Sequence, residues 1–274
     1  MRTNLRRPAL AAVLMLLASA TYLLAHDLFL KLDSYFVPPN SSVRIAVLNG
    51  TFAKSEGAVS ADRLLDLSLV GPAAGGRRAI PRASWKPFGD TTWLSVQTEA
   101  SGTYVIGAST SPRQIALSGD DFNSYLKEDG IPDVLNARTL NGELGTPVRE
   151  RYHKHVKAIL QVGDARSEAY GTVLGYPAEI VPITNPYALR SGDTLAVRAL
   201  VDGKPAANQL VIAGGERDGR PIEETRARSD TAGVARFALS GAGRWYIKFI
   251  HMVPVRGDSV DYESKWATLT FQVR

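Results

Sequence analysis

Beyond residue 25, apolar residues recur at every second position through most of the chain, and this period of two predicts strands. His26, Leu28, Leu30 and Leu32 point one way, and Asp27, Lys31 and Asp33 point the other. Val43, Ile45 and Val47 repeat at the same spacing and run into Asn49-Gly50, a pair that predicts a hairpin turn. Trp93 to Val96 and Thr103 to Ile106 read as further strands, separated by a turn at Ser101-Gly102. Val156, Ala158, Leu160 and Val162 give another, with His153, His155 and Lys157 on the opposite, solvent-facing side.

Residues 111–150 break this rhythm. Ser118 followed by Asp121, Phe122 and Tyr125-Leu126 predicts an N-cap and a short helix that Gly130 and Pro132 stop. A second helical piece is expected from Val134 to Leu140. The stretch Gly163 to Pro177 is polar and punctuated by glycine, as a domain boundary would be. Beyond it, strand-like runs return: Leu195, Val197 and Ala199; Ala235, Phe237 and Leu239; Trp245, Ile247 and Phe249; Ala267, Leu269, Phe271 and Val273. Asp202-Gly203 and Asp230 to Gly233 supply tight turns between them. The expected fold is therefore mostly β, with two β-sandwich-like domains. Residues 26–165 form the first, carrying the helical insertion. Residues 177–274 form the second, whose size and strand rhythm suit an immunoglobulin-like sandwich.

The first 25 residues have a different character. Arg2, Arg6 and Arg7 precede an almost unbroken apolar run from Pro8 to Leu17, and Ala18-Ser19-Ala20 is a small-x-small cleavage pattern. This is a secretory signal peptide, with a second cut position after Ala25. Left uncleaved, the 18 residues from Pro8 to Ala25 would instead anchor the chain in the inner membrane. No later apolar run is long enough to span, so the expected location is the periplasm.

Composition narrows the chemistry. The 274 residues carry 32 Lys+Arg, 27 Asp+Glu, four His and no Cys, for a formal charge of +5. Three arginines of that balance lie in the signal peptide, whose removal leaves +2. No basic stripe interleaved with aromatics is present, which argues against nucleic acid. The lack of cysteine excludes disulfides, thiolate metal sites and a cysteine nucleophile. No nucleophile elbow, Walker loop, H-E-x-x-H or G-x-G-x-x-G motif occurs, and Asp120-Asp121 suits a helix start better than an acid–base pair, so no enzyme is expected.

Candidate chemistry lies in the four histidines. A cut after Ala25 would make His26 the N-terminus, with a free amine and an imidazole on one residue. Their pKa values of roughly 8 and 6.5 let a metal displace few protons near neutral pH. His153 and His155 form an H-x-H pair that shares one strand face, although Arg149, Arg151, Lys154 and Lys157 surround it. His251 ends the strand of Trp245, Ile247 and Phe249, with Asp258, Asp261 and Glu263 following. A cut after Ala20, a solvated H-x-H pair and a hydrogen-bonded His251 at a core rim are the competing readings. Nitrogen donors suit copper, nickel or zinc.

Several segments together resemble a known family. They include His26 to Leu30, Gly102-Thr103-Tyr104, Asp121 to Leu126, Arg149 to Tyr152, and Glu179 to Pro182. Asn185-Pro186-Tyr187, Asp202 to Pro205, Gly243 to Tyr246 and Asp261 to Ala267 complete the set. The chain resembles the periplasmic family called domain of unknown function 4198, also described as a nickel-uptake substrate-specific region. The resemblance implies an exported β-rich protein linked with nickel or cobalt uptake. The expected function is capture or delivery of a divalent transition metal, nickel or cobalt by resemblance and copper by ligand chemistry. His26 would anchor the ion, with His251 or the His153/His155 pair completing the site, and an inner- or outer-membrane transporter would be the partner. The alternative is a non-enzymatic envelope module that binds a protein or glycan through loops and exposed aromatics such as Trp85, Trp93 and Trp266, residues for which core packing is the competing reading.

Overall fold

Three sheets and two helices make up residues 26–72 and 76–274, the part of the chain described by this computed structural model. The export segment expected over residues 1–25 lies outside the described residues. A ten-stranded sheet forms the centre. Its main path runs Arg220–Arg228, Leu210–Arg217, Gly243–Pro254, Tyr262–Val273, Val148–Val162, Gly102–Thr110, Leu64–Val70, Arg77–Ala79. A four-stranded N-terminal sheet, in the order Asp27–Leu32, Ser42–Gly50, Thr91–Gln97, Trp85–Phe88, covers one side. A third sheet, built on Ala178–Pro182, Thr194–Val201 and Val234–Ala238, covers the other.

The centre of this arrangement is the 15-residue strand Val148–Val162. It pairs in parallel with Tyr262–Val273, from Glu150 opposite Tyr262 to Ala158 opposite Thr270. This pairing joins the two halves of the chain within one sheet, and one apolar cluster holds Leu30, Ile45, Val105 and Leu160 together with Ile180, Val197, Trp245 and Phe271. Each such fully buried side chain is worth roughly 1.5–3 kcal/mol. The helices Gly119–Glu128 and Pro132–Leu140 fall where the sequence predicts them, and Ser118 Oγ caps the first by accepting from the Asp121 amide at 3.2 Å. They pack Phe122, Tyr125 and Leu126 onto Trp266, Ile250 and Met252 beside the N-terminal sheet.

Three expectations are corrected. Asn49-Gly50 is not a turn: both residues stay in strand, opposite Leu28 and Asp27. Gly50 serves a close approach instead, since a Cβ there would lie 2.4 Å from the Lys54 carbonyl oxygen. His153, His155 and Lys157 are not solvent-facing. The third sheet and the segment leading into it close over them, and His155 is 1% exposed. Polar residues fill that face because each finds a partner: Lys157 donates to Glu179 at 2.9 Å, and Glu179 also accepts from the Leu174, Gly175 and Tyr176 amides. The third corrects the exposed aromatics of the envelope-module alternative in favour of core packing. Trp85 and Trp266 are buried in the cores, and Trp93 is half-buried beneath the Arg44 guanidinium at 3.7 Å.

Candidate functional site

The pleat of the long strand sorts the histidines onto two faces. Lys154, Val156 and Ala158 turn towards the N-terminal sheet, and His153, His155 and Lys157 towards the third. His26 belongs to the first face, because Lys154 donates to its carbonyl. The neighbouring Asp27 accepts from Lys248 at 2.5 Å. His251 lies three residues beyond Lys248 on the same strand and so projects to the opposite face. The structure therefore brings His153 and His155 together, places His251 on their side, and leaves His26 across the sheet.

At His26 the local chemistry is dense. The half-buried imidazole Nε2 lies 2.8 Å from Glu56 Oε2. The loop Thr51–Glu56 folds back so that the Glu56 amide donates to the Asn49 carbonyl at 2.9 Å, which sets the carboxylate beside the ring. Lys154 donates to the His26 carbonyl and to Asn49 Oδ1 at 2.9 Å. Burial pulls the Lys154 ammonium down to about 8, against the opposing pull of Asp27. Burial would also lower Lys248, but Asp27 and Asp129 outweigh it and hold the group at about 12. Asp129, 4.0 Å from Lys248, is raised to about 7 by burial and by the Asp27 charge.

Deeper on the same face, Glu150 is raised to about 7 by burial. Its Oε1 accepts from Tyr125 at 3.1 Å and from Ser264, and its Oε2 has no partner. A carboxyl in that setting is held close to neutrality. It lies in the wall behind His26 rather than among the groups that line it.

On the opposite face, His153 Nε2 contacts Glu263 Oε1 at 3.2 Å, and the His153 and His155 ring centroids are 5.1 Å apart. His155 Nδ1 bonds Ser109 Oγ at 2.9 Å, while its buried Nε2 has no partner. Burial, then the neighbouring His153, pushes His155 down to about 3. Burial also lowers His153, against the pull of Glu263. His251 bonds Gln209 at 3.1 Å and is lowered by burial and by Lys265. Lys265 stands between the histidines, because the register runs His251, Lys265, His153 across three adjacent strands. Asp202 holds that ammonium at 2.6 and 2.7 Å.

Among the described residues, no three His, Asp or Glu side chains are arranged to hold a metal ion. Two donors on one residue remain. With Nε2 against Glu56, the favoured neutral tautomer carries its proton there, and Nδ1, the nitrogen nearer the backbone, keeps its lone pair. If the chain begins at His26, the amine and Nδ1 can close a six-membered chelate. This set fits a nitrogen-preferring divalent ion. Sequence reasoning missed Glu56, Asn49 and Lys154. Glu56 carried no signal because its position depends on a loop return, and Lys154 read as a cation that would only repel a metal.

Comparison with known proteins adds a family and little else. The family model described as "Domain of unknown function (DUF4198)" matches residues 23–253. No curated protein matches the chain. Among solved structures, the D0-D1 domain of intimin is 11% identical, with 88% of this chain and 95% of that one covered and a TM-score of 0.22. Trypsin-activated alpha-2-macroglobulin from Escherichia coli is 10% identical over 90% of this chain and 16% of that one, with a TM-score of 0.22. Dimeric latent PorU from Porphyromonas gingivalis is 10% identical over 88% and 20%, with a TM-score of 0.20.

Proposed function

The chain belongs to the DUF4198 family, and from its geometry we propose that it is an exported periplasmic carrier that captures a divalent transition metal through the amine and imidazole of His26. The carrying observation is the 2.8 Å contact of His26 Nε2 with Glu56, which favours the tautomer in which Nδ1 is a ligand. Copper and nickel suit such a nitrogen pair best, with cobalt close behind. Glu56 orients the ring, and the remaining coordination positions are open to water or to a donor from the transporter that receives the ion. The role is carriage rather than catalysis. Residues 178–273, with four strands in the third sheet and four in the central one, fit an immunoglobulin-like half that acts as scaffold. The His153/His155 pair and His251 serve that scaffold.

The experiment is a calorimetric titration of protein purified from the periplasm, after intact mass has confirmed a start at His26. Nickel, cobalt, copper and zinc are compared on wild type, on His26→Ala, and on a form that retains Ala25. The expected result is one site that both changes weaken by tenfold or more. Binding no tighter than about millimolar, roughly 4 kcal/mol, would retire the reading and leave an envelope module that recognises a partner through its loops.

A further inference from the structure

Lys154 is an unusual residue to place where it sits. It is 4% exposed, in the middle of the long strand, paired with Trp266 on one side and bonded by the Thr110 hydroxyl on the other, and its ammonium bonds two neutral oxygens, the His26 carbonyl and Asn49 Oδ1. The Trp266 and Tyr152 rings flank it, with centroids 5.4 and 5.6 Å away. Burying an ammonium is costly, and an apolar side chain of the same length would pack between these rings without that cost. If the first strand needed only packing, Leu28 and Leu30 already supply it, and Thr268 and Thr270 already bond their carbonyls.

What the lysine adds falls on residue 26 itself. A chain end normally frays. Here the carbonyl of His26 is held by Lys154 and the next side chain is held by Lys248. With the carbonyl and Asp27 both fixed, the peptide plane after residue 26 and its Cα are fixed, and the rotation that remains, about the Cα–C bond, carries the amine and the ring together. Glu56, holding the ring, stops that rotation, so the two contacts jointly set the direction of the amine. We propose that Lys154 is the positioning residue of the His26 site, locking the backbone of residue 26 so that the amine and Nδ1 face the same point before any ion arrives. The inference rests on the metal-carrier reading for its purpose, and on the hydrogen bonds alone for its geometry.

The test uses the mature protein beginning at His26, wild type and Lys154→Met, with copper(II) as probe and two readouts. The first is affinity together with the electron paramagnetic resonance spectrum of the bound ion. The second is the order of the His26 ring in metal-free protein, from carbon relaxation. The expected result is a folded variant whose copper affinity falls at least tenfold, whose spectrum changes, and whose ring is more mobile than in wild type. Equal affinity, an identical spectrum and equal ring order would overturn the proposal. If wild type binds no copper, the carrier reading fails by itself. Lys154 is then judged on ring order, where a loosened ring supports it and an unchanged one overturns it. Should Lys154→Met not fold, Asn49→Ala, which removes the second acceptor of the ammonium, takes its place. About threefold weaker binding with added ring mobility supports the proposal, and no change in either overturns it.

Discussion

The two faces of the central strand Val148–Val162 carry similar residues and treat them in opposite ways. On the face of the N-terminal sheet, Lys248 is held ionised by Asp27, and half-buried His26 meets Glu56 at the sheet edge. On the other face, His153 and His155 are closed in and kept neutral, and Lys157 is cancelled by Glu179. A histidine-rich strand therefore does not by itself make a metal site. A ligand must also retain a lone pair that an ion can reach, and buried His155, neutral and closed in, does not offer one.

The sharpest way to break this comparison is at Glu179. It is 2% exposed, pairs with Lys157 and accepts three backbone amides. Replacing it by Leu strands a buried ammonium and three donors, and the expected loss is about 3–5 kcal/mol in urea unfolding. Copper binding at His26, across the sheet, is expected to be unchanged in the protein that remains folded. Loss of the metal site along with stability would show that the two faces are not independent.

A second contrast is visible in pH. In the folded protein His155 sits at about 3, well below the ordinary histidine range, chiefly through burial. The unfolded chain therefore takes up this proton first as pH falls. Stability is fully present above about 6.5 and declines through the window down to 3, at up to about 1.4 kcal/mol per unit. Between pH 6.5 and 4.5 that amounts to roughly 2–3 kcal/mol. His155→Gln is expected to remove this contribution, so that the difference between variant and wild-type urea midpoints moves in the variant's favour as pH falls from 6.5 to 4.5. An unchanged slope would mean that His155 is not sealed as described.

How much of this was legible in the sequence follows from the same contrast. Period-two alternation found the strands, and Ser118 with Asp121 found the helix, because both signals are local. Whether the polar side of Val148–Val162 faces water is not local. It is decided by the third sheet, more than twenty residues further on, and by the partners Glu179, Glu263 and Ser109 that make burial tolerable. Asn49-Gly50 misled for a related reason, since a glycine required by the nearby Lys54 carbonyl looks the same in sequence as one required by a turn. The parallel pairing of Val148–Val162 with Tyr262–Val273 had no local signature at all. The pairing of His26 with Glu56 was missed because a loop brings Glu56 there.

The smallest expected effect separates the faces most finely, and it concerns Glu150. This carboxyl is fully buried on the His26 side, raised to about 7 by burial, with Oε2 unpartnered. Its sign is opposite to that of His155. Between about 4.5 and 7 the folded protein holds a proton that the unfolded chain has lost, so this group's contribution to stability falls as pH rises through that window. At neutral pH the folded state bears a growing share of a buried, poorly paired anion. Glu150→Gln keeps the shape and the acceptor for Tyr125 and Ser264 while removing the charge. The variant is therefore expected to gain about 2 kcal/mol over wild type between pH 5 and pH 8, read from urea midpoints at the two values. Combined with His155→Gln, it should leave a profile flatter than either single change gives, because the residues lie on opposite faces and their effects add. A Glu150→Gln protein that loses stability at pH 8 would mean that the carboxylate is satisfied and ionised there. The contrast between Lys248, kept ionised, and the neutral histidines across the sheet would then extend to Glu150.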